Sequence, residues 1–220
     1  MQLIAHFLKS LGKQMNEEIE GGYNRFSKQL SISNDYQRYW LAVIMGCSFA
    51  VGGLGSYYDN FIGHVYRSTI NNPNPSSINN AVFAKGFPGT NKITMANALI
   101  FHAQQMRLHG VSKIIQDPVK YQQQIINAAL RAPNVGQWSA TIPFKILAIA
   151  GILPEKVINS LEPPLGRNVI NGIEALTGYK IRDPNNSHNR AFSNALHRYL
   201  AQLAQTDIYT INSGLWELGT

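Results

Sequence analysis

The 220-residue sequence predicts an all-α protein, and three observations carry that prediction. Apolar residues recur three and four apart over 93–106, 125–130, 142–149, 157–161 and 195–203, the spacing that lines them up on one helix face. Alternating apolar–polar runs, the mark of a half-buried strand, are nearly absent. Helix starts are marked as well. Asp117 precedes Pro118, an N-cap followed by a first-turn proline, and Leu153-Pro154-Glu155 opens another helix. This patterning predicts about nine to eleven helices.

Taken in order, the chain begins as an amphipathic helix with Leu3, Phe7, Leu8 and Leu11 on its apolar side, and it does not have the form of a secretory signal. Residues 39–58 carry no charge, a stretch long enough to span a bilayer. Gly46, Gly52, Gly53 and Gly55 crowd it, and each glycine costs a helix about 1 kcal/mol. A buried core helix ending near Val51 is the better reading, with no membrane partner. Residues 71–80 (NNPNPSSINN) read as a polar, proline-broken surface loop, and Phe87-Pro88-Gly89-Thr90 as a second turn. No internal repeat is evident.

Composition narrows the function. The formal net charge is +7, yet only 14% of residues are charged and 45% are hydrophobic, which excludes a disordered chain. Cys47 is the single cysteine, so a disulfide framework, an all-cysteine iron–sulfur cluster and a cysteine-rich zinc site are excluded; it reads as a small buried apolar residue. The six histidines form no His-x-x-x-His pair, and neither a metal nor a cofactor is expected. Gly52-Gly53-Leu54-Gly55 does not follow a strand, so it is not a nucleotide-binding loop. A basic surplus on a chain with few charges fits a polyanionic partner, and equally an incidentally basic protein.

The most informative segment is Leu130-Arg131-Ala132-Pro133-Asn134-Val135-Gly136-Gln137-Trp138-Ser139-Ala140. It joins a helix ending near Arg131 to one starting near Gly136 through a very short turn. Asn134 tolerates left-handed backbone angles, and Gly136 lets the backbone pass close to another object. The free N–H groups opening the second helix would bind a phosphate through hydrogen bonds and the helix dipole, which fixes register without reading sequence. An ordinary turn between two helices of a bundle would have the same outline.

Pro133, Val135, Gly136 and Ala140 match the hairpin of the helix-hairpin-helix DNA glycosylases, with Asn134 in place of the first glycine. Four further stretches, in the same order, resemble the archaeal 8-oxoguanine DNA glycosylase branch of that superfamily. They are Asp35-Tyr36-Gln37-Arg38, Gly52 through Phe61, the run Lys145-Ile146-Leu147 that closes the hairpin helix, and the ending from Thr210 through Gly219 with its Trp216. The resemblance implies a single two-lobed glycosylase-like domain over residues 1–220. Lobe A would comprise 1–85 plus 180–220, and lobe B 90–179 with the hairpin at 125–150. It further implies a monomer acting on double-stranded DNA, cytoplasmic and nucleoid-associated, with a modified or damaged base flipped into a pocket and excised.

The resemblance also assigns roles. Tyr58 and Trp216 would stack on the base, and Gln37 would hydrogen-bond its edge. Asn212 lies one helical turn before Trp216 and shares its face; the family has an aspartate there. Asn134, Val135, Gly136 and Gln137 would hold the DNA backbone. Trp138 stands where the family has its catalytic lysine and would line the pocket instead, so the lysine-dependent lyase step is not expected. Lys145 lies seven residues later on the same face, about 10 Å along the helix, and is set aside as a nucleophile. Gly166 stands where the family has its catalytic aspartate, leaving Asp59, then Glu162, as substitute carboxylates. Gly166 and Gly214 would leave room for a bulky base, such as a modified cytosine of phage DNA. Two other readings stay open: a non-catalytic nucleic-acid-binding module on the same fold, and a helical interaction protein.

Overall fold

A computed structural model describes residues 1–48, 56–84 and 91–220, with the side chains of all but 56–59. Twelve helices and no strand occur among the described residues. They are α1 (Gln2–Gln29), α2 (Asp35–Ser48), α3 (Ser56–Thr69), α4 (Pro75–Val82), α5 (Lys92–His109), α6 (Val111–Gln116), α7 (Pro118–Ala129), α8 (Gln137–Ile149), α9 (Glu155–Ile158), α10 (Arg167–Thr177), α11 (Ser187–Ala204) and α12 (Ile208–Leu218). The all-α class holds. The turn expected at Phe87-Pro88-Gly89-Thr90 and the glycines 52, 53 and 55 lie outside the described residues.

Two local readings are corrected. The 71–80 segment is only partly a loop, because α4 begins at Pro75. The Asn74 side chain accepts from the Ser77 N–H while the Ser77 hydroxyl accepts from the Asn74 N–H, a reciprocal cap that starts the helix. Ile78, Ala81 and Val82 then bury its inner face. The expected apolar side of α1 enters the core only in part: Leu8 is fully buried, while Leu3 is 87% and Phe7 54% exposed and Leu11 is half-buried. The buried row is Ala5, Leu8, Gly12, Met15 and Ile19. Closeness of approach decides this. A Cβ on Gly12 would overlap the Thr210 carbonyl oxygen, and one on Gly214 would overlap that of Leu8, so α1 and α12 meet backbone to backbone.

On its other side α12 meets α10 in the same way. A Cβ on Gly172 would overlap the Leu215 carbonyl, and one on Gly219 that of Asn168. The uncharged stretch forms α2 up to Ser48, buried from Tyr39 onward and packed on α8, where a Cβ on Gly46 would press on Ile142 at 3.0 Å. No helix among the described residues is long and apolar enough to cross a membrane. Cys47 is fully buried, as expected, and burial pushes its thiol up to about 12.

Pro143 stands inside α8 and has no N–H to give the Ser139 carbonyl four residues earlier. The buried His102 replaces that donor, with Nε2 2.7 Å from the Ser139 oxygen. A carbonyl only accepts, so the His102 proton sits on Nε2 and Nδ1 accepts from the Tyr39 hydroxyl at 3.3 Å. Burial lowers this imidazole to about 4, so it is neutral at physiological pH.

Candidate functional site

A cavity of about 660 Å³ opens among α1, α8, α10 and α12. Trp138, Ile142 and Lys145 face it from α8 at spacings of four and three, one side of the helix. Asn212 and Trp216 face it from α12 with the same four-residue spacing, and Gly166 and Arg167 close it at the start of α10. The sequence therefore brought together three expected pocket residues, Trp138, Asn212 and Trp216, from two separate helices. It set aside the most unusual one. Lys145 is only 3% exposed, and its amine donates to Asn212 Oδ1 at 3.0 Å.

A chain of hydrogen bonds fixes that contact. The His197 Nδ1–H donates to the Ser193 carbonyl at 2.8 Å, which leaves Nε2 to accept. Asn212 Nδ2 donates to His197 Nε2 at 3.1 Å and to the Pro164 carbonyl at 2.9 Å. With both amide hydrogens committed, the Asn212 oxygen must face Lys145. Burial lowers the Lys145 amine to about 7, opposed by the negative charges of Asp207 and Glu217. Burial also lowers His197 to about 4, with Lys145 adding to the effect. Near neutral pH the cavity thus holds an amine poised between its free-base and ammonium forms. Chemically, such a group can accept a proton, add to a carbonyl or bind an anion.

The wall at 162–165 has no regular structure to satisfy its backbone, and two buried glutamines do so. Gln122 exchanges hydrogen bonds with the N–H and C=O of Glu162, at 2.7 and 3.1 Å. Gln137 donates to the Pro163 carbonyl at 2.7 Å and accepts from the Leu165 N–H at 2.9 Å. Gln137 was expected on the DNA backbone; its side chain is instead 1% exposed and pins the cavity wall. Its own backbone N–H is taken too, donating to Asn185 Oδ1 at 3.0 Å.

The chain matches no protein-family model, no curated protein and no solved structure.

The remaining expected residues separate clearly. Asn134 is exposed and left-handed at φ 58°, and Gly136 N-caps α8 with no side-chain cap of its own. The object near Gly136 is Asn185, whose Oδ1 would lie 2.9 Å from an added Cβ. Val135 is half-buried against the core. Gln37 does not reach the cavity. Its side chain turns back to accept from the Ser33 N–H at 2.7 Å, while its own N–H bonds Asn34, so it belongs to the start of α2. Glu162 is not free for chemistry either, because Arg190 grips both of its oxygens at 2.7 and 3.1 Å. The side chains of Tyr58 and Asp59 lie outside the described residues. Gly214 makes no room for a base, since it is filled by the α1 backbone. Gly166 gives its space to the Trp138 indole, 3.1 Å from where a Cβ would stand. No group of three or more His, Cys, Asp or Glu among the described residues could hold a metal.

Local sequence signals for these misplacements were weak. A glutamine after a helix start is read equally well as a base contact or a cap, and only the fold distinguishes them. The His197–Asn212–Lys145 chain joins residues far apart in sequence, with no motif to announce it.

Proposed function

We propose that the protein is a DNA glycosylase that flips a modified or damaged base out of double-stranded DNA and releases it. The observation that carries this reading is the cavity itself, which is lined by the indoles of Trp138 and Trp216 together with the polar groups of Lys145 and Asn212. Two aromatic faces supply stacking for an extruded base, and polar groups at its edge supply selection. The +7 charge fits a phosphate backbone as partner. The hairpin between α7 and α8 would track that backbone through Asn134 and Gly136.

A second reading is favoured by one specific observation. No carboxylate lines the cavity among the described residues, and cleaving a glycosidic bond builds positive charge on the sugar. A binding module on the same fold would need none. One experiment separates the two: incubate the pure protein with duplexes carrying 8-oxoguanine, uracil, alkylated purines, or hydroxymethylated or glucosylated cytosine, and seek free base by mass spectrometry. Release of one base, abolished by Trp216→Ala in a protein that still folds, is the expected result. Duplex binding without release of any base would establish the binding module instead.

A further inference from the structure

Every charged side chain lining the cavity, among the described residues, is cationic: Lys145 and Arg167. They approach from different helices, and the first turn of α10 joins them, since its N-cap Gly166 offers no side chain to its N–H groups. Arg167 is exposed and has no acidic partner among the described residues. Lys145 is held only by an amide, which accepts a hydrogen bond without cancelling charge. Two indoles, Trp138 and Trp216, line the same cavity and offer surfaces suited to a flat ring. An electroneutral aromatic guest would leave the buried Lys145 amine with no anion in contact, whereas an acidic one would place a negative charge directly against it.

We infer that the cavity selects a planar aromatic ligand carrying a negative charge, ring against Trp138 and Trp216 and acidic group toward Lys145 and Arg167. Such a ring has two sources: an acidic pyrimidine or purine within DNA, or the same chemistry as a free small molecule. Only the first rests on the glycosylase reading; the charge selection does not. Binding carries a proton with it. The charged and titratable groups around the Lys145 amine are Asp207 and Glu217 on the α12 side, His197 from α11 and Arg167 from α10. Burial lowers the amine to about 7 against the pull of Asp207 and Glu217, so an arriving anion draws it toward the ammonium form.

The test measures binding of orotate, uracil and inorganic phosphate by titration calorimetry in two buffers of different ionisation enthalpy, from pH 6 to 9. Duplexes carrying 5-carboxycytosine or unmodified cytosine form the second arm. Orotate should bind at least about tenfold tighter than uracil, with proton uptake rising from about half at pH 7 toward one at pH 9 and affinity falling toward tenfold per pH unit over that range. Lys145→Met should erase the preference, and Arg167→Gln, at an exposed position, should reduce it several-fold in a fully folded protein. Preference for the 5-carboxycytosine duplex as well places the ligand in DNA. Binding of orotate without any duplex affinity upholds the charge selection and removes the glycosylase reading. The inference is overturned if orotate and uracil bind equally, if neither binds, if phosphate alone binds as tightly as orotate, or if Lys145→Met leaves the preference intact.

Discussion

The Asn212 carboxamide faces Lys145 with its oxygen because His197 and the Pro164 carbonyl have claimed both of its hydrogens. Asn212→Asp keeps the shape and changes the charge. An opposite charge at this range raises a lysine by about 1–3 pKa units. The amine should therefore titrate well above 7, as read by NMR of ¹³Cε-labelled lysine. A titration near 7 in the variant would mean that the two side chains do not meet.

Three buried bases make stability depend on pH in one direction. His102 and His197 sit near 4 in the fold against an ordinary 6.5, so below 6.5 the unfolded chain binds protons that the folded one refuses. Stability from this source is full above 6.5 and is lost as pH falls toward 4, on the order of 3 kcal/mol per histidine. Lys145 acts likewise between about 7 and 10.5, where only the unfolded chain holds the proton. Urea midpoints should rise from pH 4 through 6.5 and again from about 7 to 9, above which the buried Cys47 thiol acts in the opposite direction. A stability maximum at pH 5 would contradict this.

His102 supplies the Ser139 carbonyl with the hydrogen bond that Pro143 withholds. Replacing His102 by Phe leaves that oxygen buried and unpaired, a loss of about 1–3 kcal/mol before packing changes. Pro143→Ala restores the helical N–H. His102→Phe should then cost less when combined with Pro143→Ala, with a coupling of about 1 kcal/mol in a denaturation cycle. Strict additivity would show that the two residues do not share the oxygen.

Glu162 is bound by Arg190, and Gln37 by Ser33 and Asn34 at the start of α2. Breaking a pair as enclosed as Glu162–Arg190, where each side chain is 12% exposed, should lower stability by about 1–3 kcal/mol in Glu162→Gln. Gln37→Ala should cost about 0.5–1 kcal/mol by weakening the start of α2. Neither should change the rate of base release by more than twofold in single-turnover assays at a temperature where both are folded.

Asn185 occupies the N–H at the start of α8 that a phosphate oxygen would use. Asn185→Ala should therefore tighten duplex binding several-fold while costing about 1 kcal/mol of stability, the value of a lost cap. Unchanged or weaker affinity would remove the α8 start from the DNA surface.

How much of this was legible in sequence follows from how local each determinant is. Asp117 caps α7 as its pairing with Pro118 announced, because a cap is settled within one turn. Asn212 and Trp216 share one face because helical spacing fixes it, while Trp138 reaches the same cavity through the packing of α8 against α12. Lys145 was discounted for lying two turns from Trp138, although the cavity runs along α8 far enough to include both. The buried face of α1 was misread because hydropathy favours Leu3 and Phe7, while the contact with α12 demands a missing side chain at Gly12. Gln122 and Gln137 could not be read at all: their partners are backbone groups of a segment whose position only the fold supplies.

The helix that carries Asn212 and Trp216 is clamped by bare backbone on two sides, through Gly12 and Gly214 against α1 and through Gly172 and Gly219 against α10. At those glycines main chain abuts main chain, and Asn16 further ties α1 to Thr210 and Ser213, so the helix is fixed in place. The cavity is therefore a gauge rather than a glove on that side. A guest of the wrong outline meets a helix that does not shift, and accommodation falls to the side chains of Trp138 and Trp216 and to the 162–165 segment. Descendants of this chain that come to prefer another ligand should then change at those positions, with the four glycines held fixed.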